Sequence, residues 1–207
     1  MRVRVVRAAE PIVTPDAIPG SHQPGDASVA ALIAAVTETI EGPEGWLGRC
    51  LGPQTLEATM RQVCSREIDL LFPPIIPNTV SIKYLDDNGT EQTVPAGNYR
   101  MIGNTILFND SYSFPSVLCA PDAIRIRYEA GYNGAGDGKT GAVPERARQA
   151  IILSVQELLR VGRDDHELRS ETVEGIGSET YVDSDKIAAV VEKTCDRLLS
   201  TLRCYIP

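Results

Sequence analysis

A predicted β-hairpin interrupts a chain whose flanking regions have helical periodicity. Residues 80–93 contain two runs that alternate apolar and polar side chains, and the residues between the runs include Asp87-Asn88-Gly89. An Asn-Gly pair in this position is a strong signal for a hairpin, because both residues tolerate the backbone angles of a tight turn. An isolated hairpin is only marginally stable in water. The sequence therefore predicts an antiparallel sheet inside an otherwise helical protein.

Three helices are predicted around this sheet. The first begins after Asp26, a good N-cap residue, and ends at Gly42-Pro43. The second starts next to Pro144, which suits the first turn of a helix. Ser184 caps the last helix, and the apolar stripe of this helix, which we expect to pack against other helices, contains Ile187, Val190, Val191, Thr194, Cys195, Leu198, Leu199 and Leu202.

The predicted fold class is α+β: a small α-helical bundle with an inserted antiparallel β-sheet and hairpin region, and a long C-terminal helix. Within the insertion, residues 124–129 alternate apolar with charged side chains, which predicts one buried and one solvated sheet face. The predicted segments are an extended N-terminal arm at 1–25, a helical core at 26–53 and 143–169, a β-rich insertion at 54–132, and a C-terminal segment with its helix at 170–207.

The charge and cysteine content argue against several functional classes. The formal net charge of −8 disfavours sequence-specific nucleic-acid binding, which depends mainly on Lys and Arg. Five cysteines, an odd number without a C-x-x-C pair, indicate reduced thiols rather than a disulfide framework. The N-terminal residues lack the continuous apolar segment of a signal peptide, and no apolar run approaches the length of a membrane span. We therefore expect no membrane association.

Catalytic motifs are weak in this sequence. The stretch NGAGDGKT at 133–140 nearly matches a phosphate-binding loop, but its first glycine is out of register, and Pro144 places the next helix start beyond Lys139. The only cluster of a histidine with carboxylates lies at 164–167, and no second cluster completes a metal site. The sequence therefore predicts no enzyme, no metal and no cofactor.

Several stretches together resemble one family. The resemblance is carried by the order and spacing of a Gly-Arg-x-Leu-x-x-Gln-Thr-like segment at Gly48–Thr55, a hairpin strand at Val80–Gly89, a Tyr-x-Ala-Gly-Tyr strand end at Tyr128–Tyr132 and a Val-Pro helix start at Val143-Pro144. In this pattern the chain is similar to the head–tail connector, or adaptor, family of tailed bacteriophages and gene transfer agents over residues 27–160. The N-terminal arm departs from the family, which usually begins with a helix.

The resemblance implies a structural protein of the particle neck, assembled in the bacterial host cytoplasm. It implies a ring of about twelve copies beneath the portal protein, an extension of the channel through which DNA passes without sequence-specific binding, and a platform for a tail-side stopper or neck protein. A ring interface, a projecting hairpin and an acidic channel all agree with this role. The alternative that the residues leave open is a monomeric β-rich module that binds glycan or peptide, for which Tyr84, Tyr99, Tyr112 and Tyr128 are available aromatic side chains.

Candidate assembly residues follow from this hypothesis. The polar segment 170–183 is the candidate for portal docking, with Glu174, Gly175, Ile176, Thr180 and Tyr181 as its interface residues. The hairpin tip, Asp87, Asn88 and Gly89, is the candidate for contact with the tail side or with a neighbouring subunit. In the last helix, Ile187, Val191, Leu198 and Leu202 are the candidate packing residues.

Overall fold

The structure is a computed structural model that describes residues 1–161, 171–173, 177–179 and 184–205. The chain divides into two compact units. The first unit consists of Met1–Ile12, Glu38–Val143 and Arg203–Pro207, and the second of Val13–Thr37 and Pro144–Leu202. The first unit contains sheets and the second is mainly helical, so the predicted α+β class is confirmed.

Antiparallel strands build the first unit. Those that the structure describes there are β1 Arg2–Arg7, β2 Gln54–Met60, β3 Glu67–Asp69, β4 Ser81–Leu85, β5 Glu91–Thr93, β6 Tyr99–Ile102, β7 Thr105–Phe108 and β8 Ile124–Ala130. Five of them form one sheet in the order β1-β2-β8-β4-β5, and three form a second sheet in the order β3-β7-β6. Every neighbouring pair in both sheets is antiparallel.

The register of the five-stranded sheet sorts its side chains as the alternating pattern predicts. Leu56 lies opposite Tyr128, Ala58 opposite Ile126, and Ile82 opposite Ile126, and all of these side chains are fully buried. The intervening positions of β2, β4 and β8 carry polar or charged side chains. Both sheets contribute to one apolar core, which also contains Ile68, Ile106 and Phe108 from the three-stranded sheet. Burial of this apolar surface is the main stabilising contribution in the first unit.

The second unit contains the three predicted helices: α1 Ala27–Ile40, most of which lies in this unit, α2 Glu145–Val161 and α3 Ser184–Ser200. Asp26 caps α1 as predicted, because its Oδ1 accepts hydrogen bonds from the backbone N–H of Ser28 (2.8 Å) and of Val29 (3.4 Å). Pro144 precedes α2, and its carbonyl accepts the N–H of Ala147. Helices α2 and α3 pack against each other.

A small two-stranded antiparallel sheet also belongs to this unit. It pairs β9 Glu171–Val173 with β10 Gly177–Glu179, both within the predicted portal-docking segment. The predicted arm at 1–25 likewise contains regular structure, since β1 is a full strand and Pro15–Ala17 form a short 3-10 helix. Strand order is a long-range property, and the local alternation of β1 does not encode its pairing with β2.

Candidate assembly surfaces

The tip of the predicted hairpin is exposed and held by one carboxylate. Asp86 Oδ1 accepts hydrogen bonds from the backbone N–H of Asn88 (3.0 Å) and Thr90 (2.9 Å), and Asp86 Oδ2 accepts one from Gln92 Nε2 (3.0 Å). The side-chain hydrogen bond from Gln92, followed by those from the backbone, lowers the pKa of Asp86. Gly89 takes a φ of +78°, which glycine adopts without strain.

The three candidate residues of this tip have few partners of their own. Asp87, Asn88 and Gly89 are all exposed. Asp87 accepts a hydrogen bond from the Ser116 hydroxyl (2.9 Å), and a Cβ added to Gly89 would meet nothing within 4 Å. The structure therefore places these residues together at one surface, where another protein can reach them.

Two of the stretches that carry the family resemblance, Gly48–Thr55 and Tyr128–Tyr132, meet inside the first unit. The guanidinium of Arg49 donates to the Tyr132 hydroxyl (3.0 Å), and the backbone N–H of Tyr132 donates to the carbonyl of Leu51 (3.0 Å). Gly131 has a φ of +122°, and a Cβ on it would lie 2.0 Å from the carbonyl oxygen of Gly52. The segment after α1 and the end of β8 are thus packed backbone against backbone. This contact explains Gly131 by packing rather than by chemistry.

A buried carboxylate fixes the same connector from its other side. Glu41 Oε2 accepts the backbone N–H of Leu51 (2.5 Å) and of Gly52 (3.0 Å). Burial raises the pKa of Glu41, although the two hydrogen bonds act in the opposite direction. Its role is to satisfy two buried backbone donors that no strand pairs.

A second buried carboxylate ties three strands together. Glu57 of β2 accepts hydrogen bonds from Arg4 of β1 (3.0 Å to Nε) and from Arg127 of β8 (2.9 Å), and its side chain is only 5% exposed. Burial opposes ionisation of this carboxyl, but the hydrogen bonds from Arg4 and Arg127 outweigh that effect and lower its pKa. Arg4 and Arg127 therefore stabilise the ionised form of Glu57.

The predicted stripe of α3 is only partly buried. Cys195, Leu199 and Leu202 are buried, Val191 and Leu198 are half-buried, and Val190 is exposed. Cys195 Sγ lies 3.5 Å from the carbonyl oxygen of Ala150 and 3.4 Å from the Ser154 hydroxyl, both on α2. The line of contact with α2 therefore follows the positions around Cys195 and Leu199. The side chain of Ile187 lies outside the described residues.

The candidate portal-docking segment 170–183 is described only in part. Glu174, Gly175, Ile176, Thr180 and Tyr181 all lie outside the described residues, and so does the acidic cluster at 164–167. What is described of 170–183 is the pair β9 and β10, which are hydrogen-bonded to each other.

The Gly-rich stretch at 133–140 forms a closed loop rather than a phosphate cradle. Gly134 and Gly141 exchange backbone hydrogen bonds of 2.9 and 3.0 Å, and the Thr140 N–H donates to Asn133 Oδ1 (2.8 Å). Helix α2 starts at Glu145, six residues after Lys139, so Lys139 does not lie in the first turn of that helix. The prediction that the next helix starts beyond Lys139 is confirmed.

The described residues were also compared with the requirements of a metal site and of a membrane-spanning helix. Among these residues, no group of three His, Cys, Asp or Glu side chains is placed to hold a metal ion. No helix in the described ranges combines the length and the apolar character needed to cross a membrane.

One exposed cluster of aromatic side chains is not predicted by any local sequence pattern. The Arg203 guanidinium carbon lies 5.7 Å from the Trp46 ring centre and 5.2 Å from that of Tyr205, and Tyr205 is 84% exposed. The backbone N–H of Cys204 donates to the carbonyl of Leu47 (2.8 Å), which fixes the chain end near Trp46. No local pattern connects positions this far apart in the sequence.

Comparison with known proteins gives a consistent result at the level of structure. No protein-family model matches the chain, and no curated protein matches its sequence. A chain in the neck of a native gene transfer agent (GTA) particle, computed with C12 symmetry, superposes with a TM-score of 0.64 at 16% identity. The match covers 100% of this chain and 97% of that chain.

Two further GTA structures agree with the first. A chain in the neck of an empty GTA particle, computed with C6 symmetry, has a TM-score of 0.61 at 16% identity, with 100% of this chain and 97% of that chain covered. A chain in the virion of a native gene transfer agent particle has a TM-score of 0.59 at 17% identity, with 93% and 94% covered. The predicted resemblance is confirmed for the fold: this chain has, over its whole length, the fold of chains in the neck of GTA particles.

Proposed function

We propose that this protein is a structural component of the neck of a phage-like or gene transfer agent particle. The observation that carries the proposal is the match of fold over 100% of this chain and 97% of a chain in a GTA particle neck. The match therefore covers nearly the full length of both chains and is not limited to a part of either. The protein then acts by binding other proteins and catalyses no reaction.

Within the neck, we assign the chain to the ring adaptor beneath the portal. The C12 and C6 symmetries of the neck structures support a ring of identical copies. A ring requires two different, complementary surfaces on each subunit. The exposed surface offers several candidates, including the small side chains Ala30, Ala31 and Ala34 of α1 and the exposed Leu158 of α2 and Val190 of α3.

The proposed partners are those expected from the sequence. They are the portal protein, which docks through residues 170–183, and a tail-side stopper or neck protein, for which the exposed hairpin tip at Asp87–Gly89 is available. DNA passes through the ring without sequence-specific binding, because a chain of net charge −8 has no general attraction for phosphate. We also propose that the helices form a small bundle, which the packing of α2 on α3 supports. The division into arm, helical core, β-rich insertion and C-terminal segment stays a prediction.

The alternative binding module is less well supported. It requires aromatic side chains clustered on an accessible sheet face. The rings of Tyr84, Tyr99 and Tyr112 instead contact those of Phe108 and Phe114 at centre distances of 5.6 to 6.2 Å, mostly edge to face, and pack against the core. The fourth candidate, Tyr128, is fully buried, and its hydroxyl donates to the carbonyl of Leu71 (3.0 Å). These tyrosines are therefore committed to the core of the first unit.

The test is the mass of the full chain, alone and mixed with its own portal protein, measured by native mass spectrometry and light scattering. A closed ring under either condition is the expected result. A monomer under both conditions, without portal binding, would contradict the neck function. Glycan and peptide arrays would then test the alternative.

A further inference from the structure

The five-stranded sheet ends in two strands that lack an outer neighbour among the described residues. These edge strands are β1 and β5. Five of the six residues of β1 are exposed, and Val5 and Val6 remain 40% and 44% exposed. An exposed edge with apolar side chains offers backbone donors and acceptors to another chain, and proteins normally cover such an edge.

The two edges carry opposite charge. Strand β1 contains Arg2, Arg4 and Arg7 and no acidic residue, whereas the opposite edge, residues 86–93, contains Asp86, Asp87 and Glu91 and no basic residue. The formal charges are +3 and −3 in a chain whose net charge is −8. Arg4 is paired with Glu57, and Glu91 is paired with Lys83 and Arg125. The charges left for a neighbour are therefore Arg2 and Arg7 at one edge and Asp86 and Asp87 at the other. Within the described ranges, Arg2 and Arg7 form no ion pair. Strand β1 is therefore a basic strip on an acidic protein, and its charge complement lies at the other edge of the same sheet.

We propose that β1 of one subunit docks against β5 and the β4–β5 turn of a second copy, so that sheets join edge to edge around the ring. The inference deepens the proposed function and rests on it, because it names the surfaces by which the ring closes. Contact between two β1 strands would bring six arginines together, which disfavours a twofold dimer. Contact between two different edges is heterologous, and repetition of such a contact produces a ring.

The topology also sets the direction of the joined strands. Five successive antiparallel strands leave the first and the fifth running the same way. Copies related by rotation about an axis along the strands would therefore bring β5 and β1 together in parallel, with evenly spaced hydrogen bonds. The shortness of β5 and the register shift between Val5 and Arg7 limit the number of such bonds. The attraction between opposite charges, rather than the number of hydrogen bonds, therefore makes β1 prefer the acidic edge to other exposed strands.

Charge variants at both edges test the contact. Arg2→Glu/Arg7→Glu changes β1 from +3 to −1, and Asp87→Arg/Thr93→Arg changes the opposite edge from −3 to 0. None of these four side chains takes part in an ion pair that the structure describes, so each variant should melt near the wild-type temperature. The concentration at half assembly is measured by light scattering, with the portal protein present if the chain alone stays monomeric.

The expected result is that the effect of Asp87→Arg/Thr93→Arg on assembly reverses between the wild type and the β1 variant. The β1 variant should need an about tenfold higher concentration to assemble. The Asp87→Arg/Thr93→Arg change should weaken assembly of the wild type but strengthen assembly of the β1 variant, because it removes attraction in the first case and repulsion in the second. Arg100→Glu/Lys139→Glu lowers the net charge by 4, as the β1 variant does, at exposed positions away from both edges. It is the matched control for the β1 variant and should assemble normally.

The possible failures can be told apart. If the wild type forms a ring and the edge variants assemble like the control, the edge contact is refuted while the neck function stands. If the wild type forms no ring with or without portal protein, the proposed function fails and the edge contact fails with it. Weakening by Asp87→Arg/Thr93→Arg in both backgrounds would also refute the pairing of these edges.

Discussion

Gly131 shows how a motif that resembles a family signature is explained by packing. Its φ of +122° lies in the region that favours glycine, and the carbonyl oxygen of Gly52 occupies the space where a Cβ would be. The sequence alone indicated that the Gly48–Thr55 and Tyr128–Tyr132 stretches recur together in one family. The structure supplies the reason, since each stretch is the packing surface of the other.

We therefore expect Gly131→Ala to destabilise the protein by about 3 kcal/mol or more, since both the backbone angle and the steric overlap oppose it. Chemical denaturation followed by circular dichroism measures the change. Gly97→Ala is the matched control, because nothing lies within 4 Å of the added Cβ and no positive φ is required there. Equal stability of the two variants would refute the close packing of Gly131 on Gly52.

Glu57 makes the stability of the sheet depend on pH in a defined direction. Its pKa is lowered in the folded state from the usual 4.5, so its contribution is present above that value and is lost as the pH falls through the folded pKa. Glu57→Gln should cost about 1 to 2 kcal/mol at neutral pH, because Arg4 and Arg127 lose a charged acceptor. The difference from wild type should shrink below pH 4 to 5. The free energy of unfolding of both proteins is measured by denaturation at each pH. A difference between them that stays constant over the whole pH range would contradict this role of Glu57.

At the scale of elements, periodicity predicted the helices and strands well but not the width of their buried faces. The predicted stripe of α3 included eight positions, whereas burial concentrates at Cys195, Leu199 and Leu202 and leaves Val190 exposed. Periodicity gives the direction of a helix face, but the size and distance of the packing partner determine how much of that face is covered. The same limit applies to α2, where the apolar side chain of Leu158 is 45% exposed.

This difference gives a graded test in α3. Leu199 is 1% exposed, so Leu199→Asp buries an uncompensated carboxylate and should destabilise the isolated chain by about 3 kcal/mol or more. Leu198→Asp, at a half-buried position, should cost clearly less, and Val190→Asp should leave the melting temperature nearly unchanged. Thermal unfolding of the monomer measures all three. Equal costs at positions 198 and 199 would contradict the described orientation of α3.

The candidate site was predictable where the signal was local. The exposed turn at Asp87–Gly89 follows from its residue types, and the capping of α1 by Asp26 follows from its place before an apolar period. The pairing of β1 with β2, the contact of Arg203 with Trp46, and the pairing of β9 with β10 all join positions that no single-sequence pattern connects. Strand order and the packing of a chain end arise from tertiary energies, which local periodicity does not contain.

At the scale of the whole molecule, the charge is unevenly distributed. Residues 164–185 contain eight acidic residues and one arginine, a net charge of −7 in a chain of −8. The rest of the sequence is thus nearly neutral, and the basic strand β1 belongs to that part. Such segregation suits a subunit with a distinct surface for each neighbour, because opposite charges favour the correct pairing of surfaces and like charges oppose the wrong ones.

The proposed docking of residues 170–183 to the portal protein can be separated from folding and from ring assembly. Strands β9 and β10 pair only with each other among the residues that the structure describes, so their removal takes no partner from the other sheets. We expect a chain with 170–183 replaced by a Gly-Ser linker of equal length to melt near the wild-type temperature but to lose portal binding by at least about tenfold. Binding is measured by surface-immobilised portal protein, with Lys139→Ala as the control that should bind normally. Undiminished binding would refute the docking role, and loss of the ring itself would assign the segment to contacts between copies.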